Sequence, residues 1–355
     1  MSVKFGTSKI SKIYYGTKQI KKIYYGTTLV YSAGGILKLT SSPLYSNTAI
    51  GMDDDYIYLA GALSSSTYYI PATYKINKAT NEISQIVNTF TDNQSAVTQI
   101  RSNGSVVLFR QGNGNCLWYD KATDTCSSVF TTVKDNSVLV HSSCIDATHS
   151  YFGILGSGSN GYQLVRVNNS TKNYETFSCG DISPNQLISD GNSVYIYNQN
   201  GNCYVFNKYD PSFYLFAEAP SGITNIFGSS SFSNPIAQNY RYIFVPCMNP
   251  NGSYNQILAT DKVNRTSSLM TAISEDTFDT TPEVACNEKY LFISKNSKIY
   301  YYDLAKNITK YTTVNMDKYT ETTSSSRISI VNTVADEERL FLYTFLPNAV
   351  FELRV

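Results

Sequence analysis

One short run recurs seven times along the chain: a polar turn residue followed by a mostly aromatic and aliphatic stretch. The copies are Asp55-Tyr56-Ile57-Tyr58-Leu59, Ser105-Val106-Val107-Leu108-Phe109, Ser150-Tyr151-Phe152-Gly153-Ile154, Ser193-Val194-Tyr195-Ile196-Tyr197, Arg241-Tyr242-Ile243-Phe244-Val245, Lys289-Tyr290-Leu291-Phe292-Ile293 and Arg339-Leu340-Phe341-Leu342-Tyr343. Downstream of most copies comes a second run that ends in an Asx or Lys turn, as in Tyr74-Lys75-Ile76-Asn77-Lys78 or Tyr204-Val205-Phe206-Asn207-Lys208. Asn and Asp suit that place because their side chains close tight turns onto nearby backbone groups. Both series advance by roughly 40 to 54 residues, the spacing of four-stranded propeller blades. From residue 34 onward no stretch has a convincing 3.6-residue period, so the chain reads as all-β. A radial array also removes the exposed edges that so many short strands would otherwise leave. The expected fold is a seven-bladed β-propeller spanning 33–355; six or eight blades remain open on spacing alone.

The last repeat reaches Val350-Phe351-Glu352-Leu353-Arg354-Val355, a third strand with no residues left for a fourth. The strand near 36–40, Ile36-Leu37-Lys38-Leu39-Thr40, is expected to complete it and tie the ends of the propeller together.

Residues 1–32 are organised differently. Lys12-Ile13-Tyr14-Tyr15-Gly16-Thr17 is followed ten residues later by Lys22-Ile23-Tyr24-Tyr25-Gly26-Thr27, with Lys21 just before and a degenerate copy at Val3-Lys4-Phe5-Gly6-Thr7. The alternation reads as short strands broken at Gly turns. Such a ribbon is marginal alone, so it is expected to order against its own copies or another protein. The formal charge of +1 hides an asymmetry. Seven lysines precede the first acid, Asp53, which leaves 21 basic groups against 27 acidic ones in the rest. A basic arm is thus tethered to a mildly acidic body. The lysines fit docking on an acidic surface, and equally fit protection of exposed strand edges. A pI of 7.5 supplies no net basic field and argues against nucleic acid as the partner.

Tandem Lys-Ile-Tyr-x-Gly-Thr units at an N-terminus resemble the anchor repeats that open many tail, baseplate and fibre proteins of tailed bacteriophages. The match covers about a tenth of the chain. It implies a virion component, made and assembled in the host bacterial cytoplasm, held to other virion proteins by its N-terminal arm in several copies per particle. The body resembles the kelch-like propellers, though it lacks their regular Gly-Gly doublets and has no Trp-Asp dipeptides.

Chemistry is sparse. Charged residues make up 15% of the chain, against roughly 25% in average domains. No segment approaches the roughly 18 apolar residues of a membrane span, and the lysine-bearing N-terminus lacks an apolar signal core, so synthesis in a cytosol is expected. The seven cysteines are dispersed and read as small buried hydrophobes. Only His141 and His149 could serve an imidazole-based site, and both read as turn or strand-edge residues. Asp53-Asp54-Asp55 reads as a solvated turn, because a calcium loop alternates its oxygen ligands with other residues. A single Trp118 excludes several sialidase-type Asp boxes. No catalytic residue, metal site or cofactor is expected.

A binding surface is easier to place. Loops joining second to third strands and those joining blades emerge on one face, and here they are the long ones, including Ala62 to Tyr69, Cys247 to Asn255, Gly228 to Ala237, Ser274 to Pro282 and Asn315 to Arg327. Their small polar residues surround Tyr68, Tyr69, Phe232, Tyr254, Phe278 and Tyr319, a composition suited to recognition. The leading expectation is a non-enzymatic virion protein whose propeller binds a host-surface carbohydrate or protein. The alternatives are a purely structural decoration protein and a polysaccharide-degrading propeller.

Overall fold

The computed structural model describes residues 4–5, 8–9, 13–15, 18–20, 22–25, 28–32, 35–41, 44, 46–62, 71–86, 96–111, 114–129, 139–155, 161–223, 225–226, 236–248, 256–270, 282–295, 298–305, 311–315, 330–337, 339–344 and 349–354. Seven antiparallel sheets follow one another in chain order. From the inside out, blade 1 is Ser46–Met52, Tyr56–Ala62, Pro71–Asn77 and Ile83–Ile86. Blade 2 is Val97–Ser102, Val106–Gln111, Cys116–Asp120 and Thr125–Ser128. Blade 3 runs from Leu139–Ile145 through His149–Leu155 and Tyr162–Asn168 to Tyr174–Gly180. Blade 4 runs from Gln186–Ser189 through Ser193–Tyr197 and Cys203–Asn207 to Ser212–Ala217. In blade 5 two short pieces, Asn225–Ile226 and Ala237–Gln238, share the innermost place against Tyr242–Met248, followed by Gln256–Asp261 and Thr266–Leu269. Blade 6 is Glu283–Cys286, Tyr290–Lys295, Lys298–Asp303 and Tyr311–Asn315. Blade 7 is Ile330–Ala335, Arg339–Thr344 and Ala349–Arg354, and its outermost strand is Gly35–Ser41, in register Leu353 to Ile36 and Glu352 to Leu37.

The seven recurring runs are the second strands. Each is apolar without a break because both of its faces are covered. In blade 1, Ile57 and Leu59 pack with Phe341 and Tyr343 of blade 7, while Tyr58 and Ala60 pack with Val107 and Phe109 of blade 2. In blade 2 the intervening Val106 and Leu108 turn to Phe152 and Ile154 of blade 3. The period of two thus divides one strand between two interfaces. The core is seven such clusters arranged around an axis.

Each turn from an innermost to a second strand opens with an Asx residue: Asp53, Asn103, Asp146, Asp190, Asn239, Asn287 and Asp336. In the first six the side-chain Oδ1 accepts the backbone N–H groups two and three residues on. In the seventh, Asp336 accepts the N–H of Arg339 at 3.0 Å. The turns from third to outermost strands use the same device at Asn77, Asp120, Asn168, Asn207, Asp261 and Asp303. Both sets lie on one face, the short-turn face.

The remaining atom of each inner Asx links its blade to the next, in one of two ways. An Asn donates directly to a turn carbonyl of the following blade: Asn103 to Asp146 at 2.7 Å, Asn239 to Asn287 at 3.4 Å and Asn287 to Asp336 at 3.0 Å. An Asp has no proton to donate and instead meets a lysine from the following blade. The pairs are Asp53 with Lys121 at 2.9 Å, Asp146 with Lys208, Asp190 with Lys262 at 3.7 Å and Asp336 with Lys78 at 3.1 Å. Each lysine stands directly after the Asx of its own outer turn. Where the preceding blade carries Asn, that place holds Asn169 in blade 3 or Leu304 in blade 6. All seven interfaces are therefore clasped, four by ion pairs and three by amides.

The carboxylates of Asp53 and Asp146 are withdrawn from solvent. The Asp53 side chain is 5% exposed and also accepts the Tyr58 hydroxyl at 2.7 Å and the Ser102 hydroxyl at 3.1 Å. The reading of Asp53-Asp54-Asp55 as a solvated turn holds for Asp54 and Asp55, which are exposed, and is corrected for Asp53.

Candidate functional site

Tyr68, Tyr69, Phe232, Tyr254, Phe278 and Tyr319 all lie outside the described residues. Chain connectivity still locates their segments. Residues 63–70 and 249–255 join second to third strands in blades 1 and 5, and 271–281 and 316–329 join successive blades. The segment holding Phe232 differs from expectation. It leaves the innermost strand of blade 5 after Ile226 and returns at Ala237, opposite Cys247 and Phe244 of the second strand, so it is an insertion within a strand rather than a connection between blades. Two-residue strand fragments carry too little alternation to reveal this beforehand.

In the arm, Lys4–Phe5 pairs with Ser8–Lys9, Ile13–Tyr15 with Lys18–Ile20, and Lys22–Tyr25 with Thr28–Ser32, as three separate hairpins. Ile13, Tyr14, Tyr15, Lys22, Ile23, Tyr24 and Tyr25 are strand residues; Lys12, Gly16, Thr17, Lys21, Gly26 and Thr27 lie outside the described residues.

His149 opens the second strand of blade 3, and its Nδ1 meets Thr148 Oγ1 at 2.8 Å. Burial, with Arg166 nearby, holds its pKa below the usual 6.5. The carboxylate that would orient an imidazole in a triad, Asp146, is engaged by Lys208 and by the amides of Thr148 and His149. His141 lies on the innermost strand of the same blade. Five of the seven cysteines are buried, and burial pushes thiols such as Cys116 and Cys203 up to about 12. Among the described residues no three His, Cys, Asp or Glu side chains group as metal ligands. Among the described residues no helix is long and apolar enough to cross a membrane.

The site the described residues do build is the axial channel, a cavity of about 320 Å³ lined by the innermost strands of all seven blades. Its wall is mixed, with Ile145, Ile188 and Ile236 beside Thr98, Ser189 and Gln238. Blades 1 and 2 approach closely at Gly51, where a Cβ would stand 2.5 Å from Ile100. Arg101 of blade 2 and Glu283 of blade 6 supply the ionised side chains of this lining. Burial pushes the Arg101 guanidinium down to about 10, and the Glu283 carboxylate is close enough to oppose that shift. Gln99 is 4% exposed, and its Oε1 accepts from Arg110 Nε at 3.3 Å and from the Ser143 hydroxyl. With the oxygen so fixed, the amide nitrogen Nε2 is buried without a hydrogen-bond partner.

Sheet order and channel define the chain as a seven-bladed propeller, and the same architecture is found in many solved structures. YCF48 bound to D1 peptide superposes with a TM-score of 0.62 at 8% identity, covering 92% of this chain and 98% of that one. A chain of the mitotic checkpoint complex gives 0.59 at 13% identity, covering 90% and 91%. PorZ, an essential bacterial surface component of the type-IX secretion system of Porphyromonas gingivalis, gives 0.55 at 10% identity over 88% of this chain, which spans 37% of PorZ. No protein-family model matches the sequence. No curated protein matches it either. At these identities the likeness carries the fold and no activity.

Proposed function

We propose that the chain is a non-catalytic component of a tailed-bacteriophage particle, attached through its N-terminal hairpins and displaying the propeller toward a host-surface ligand. The observation that carries the reading is where the arm joins the body. It leads into Gly35–Ser41, whose first residue pairs with Arg354, itself opposite Arg339 beside the Asp336 turn. The arm therefore meets the propeller on the short-turn face. Attachment from that side leaves the opposite face, where the segments that carry Tyr68, Tyr69, Tyr254, Phe278 and Tyr319 leave and rejoin the described strands, directed away from the particle. Three two-stranded hairpins in series are each marginal alone and gain order by docking, which suits an anchor. Aromatic rings among amides and hydroxyls suit a carbohydrate ligand, and several copies per particle raise weak single-site affinity by avidity.

Deletion of residues 1–32 tests the anchor. The expected outcome is a folded, soluble body that no longer enters particles; unchanged incorporation overturns the reading.

A further inference from the structure

The outer edges of the seven blades are not alike. Those of blades 1, 2 and 5 are strands of four residues, that of blade 6 holds two threonines and an asparagine among five, and those of blades 3 and 7 carry Glu175 and Lys38. Short, polar or charged edges discourage a further strand. Blade 4 has none of these protections. Its outer strand, Ser212-Phe213-Tyr214-Leu215-Phe216-Ala217, holds four large apolar residues in a row, and among the described residues nothing pairs with its far side. Phe213 turns to Phe206 and Phe216 stands edge-on to Tyr195, whereas Tyr214 and Leu215 are exposed. Tyr174, on the outer strand of blade 3, and Tyr209, in the outer turn of blade 4, are exposed as well. Four of the seven exposed large apolar side chains among the described residues thus belong to this stretch of rim, a concentration that marks an interaction surface.

Charge decides what covers it. From Asn173 to Tyr240 the sequence contains five acids, Glu175, Asp181, Asp190, Asp210 and Glu218, and one base, Lys208, which is committed to Asp146. Arg166 engages Glu175 and Lys262 engages Asp190. Asp181, Asp210 and Glu218 are exposed with no ion-pair partner among the described residues, and the last two bracket the apolar strand. Arg265 of blade 5 caps the Phe216 ring at 5.7 Å and leaves Tyr214 and Leu215 open. Two copies meeting through this edge about a twofold axis would set Asp210 against Glu218, acid on acid, which is unfavourable. The arm has the opposite character. Residues 1–32 contain six lysines and no acid, and among the described residues each of the three hairpins is a two-stranded sheet with both outer edges open.

Reach selects the copy. Residues 33 and 34 alone separate the hairpin of Lys22–Tyr25 and Thr28–Ser32 from Gly35, so at full extension it reaches about 27 Å from blade 7. Blade 4 stands nearly opposite, and the depth of the two sheets alone, three strand spacings each, puts about 29 Å plus the width of the channel between their outer strands. We infer that the outer edge of blade 4 takes this hairpin from a second copy as further strands of its sheet, with the lysine-bearing end against the acidic flanks. In such strand addition main-chain hydrogen bonds supply the affinity. Each copy offers one arm and one edge, so the contact is heterologous and joins copies in a row or a ring. This goes beyond attachment to a particle, does not depend on it, and leaves the first two hairpins for that role.

Light scattering on the purified full-length protein tests it with two variants. Leu215→Lys places a charge on the edge at a residue 45% exposed. Lys18→Glu with Lys21→Glu and Lys22→Glu reverses the charge of the arm. The native protein is expected to associate as its concentration rises, and each variant alone about tenfold or more weakly. An equimolar mixture of the two should form a 1:1 dimer, because the first keeps its arm and the second its edge. A native protein that stays monomeric, an arm variant that associates as the native does, or a mixture that stays monomeric overturns the proposal. Should Leu215→Lys fail to fold, Asp210→Lys with Glu218→Lys, both at exposed positions, takes its place with the same expected outcomes for variant and mixture. The readout is mass in solution, whereas that of the anchor is incorporation into particles, so either can fail alone.

Discussion

Two kinds of interface hold the same ring together. Between blades 2 and 3, 5 and 6, and 6 and 7, an asparagine bridges to the next blade with its own amide. Between blades 1 and 2, 3 and 4, 4 and 5, and 7 and 1, an aspartate needs a lysine supplied from the next repeat. The amide clasp is complete within one residue. The ionic clasp divides the task between two residues and adds ring contacts, with Lys208 Nζ 5.5 Å from the Tyr151 centroid and Lys262 Nζ 5.9 Å from that of Tyr195. A turn can therefore exchange neutral for ionic chemistry only if its neighbour changes with it. The two kinds also differ in what their loss leaves behind: a neutral carbonyl short of one donor in one, an unpaired charge in the other.

The largest effect should come from breaking an ionic clasp on one side. Lys208→Met strands Asp146, whose side chain is 4% exposed, and should lower stability by about 3 to 5 kcal/mol in denaturant unfolding. A smaller loss, about 1 to 3 kcal/mol, is expected for Asn103→Asp, which removes the donor to the Asp146 carbonyl and adds a charge with no lysine opposite. Adding Asn169→Lys should recover much of it, and an additive double-mutant cycle would show that the two positions do not form one clasp. The mildest perturbation is acid. For Asp53 and Asp146 burial favours the neutral acid, but lysine, tyrosine or turn-amide hydrogen bonds outweigh it and hold both pKa values below 3.8. The unfolded chain thus takes up protons first as pH falls. The stabilisation is complete above the unfolded value and is lost as pH drops through the folded ones. Replacing Asp53 and Lys121 together by Asn and Met should flatten the stability profile below about pH 4.

The sequence made the blades legible because a strand covered on both faces is apolar throughout, and seven such runs at one spacing allow few other folds. The clasps were present in the same letters. Lys78, Lys121, Lys208 and Lys262 mark the blades that follow an Asp, but that correlation links positions 62 to 72 residues apart or closes across the whole ring, and it becomes physical only when repeats lie side by side. The channel was less accessible still. Gln99, Arg101 and Glu283 belong to strands whose alternation predicts packing, and their convergence depends on a radius that no local pattern encodes. Arg101 gave one readable signal: it is the sole charge at its level among seven aligned repeats.

The outermost strand of blade 7 has a consequence in time. Gly35–Ser41 is synthesised long before its partner, Ala349–Arg354. At roughly 5 to 20 residues per second, the roughly 300 residues between them take about 15 to 60 s to emerge. Throughout that interval the nascent chain holds an unpaired strand with the arm attached to its near end. The ring cannot close until Ala349–Arg354 has emerged, and any partner that captures the arm early does so before the disc exists.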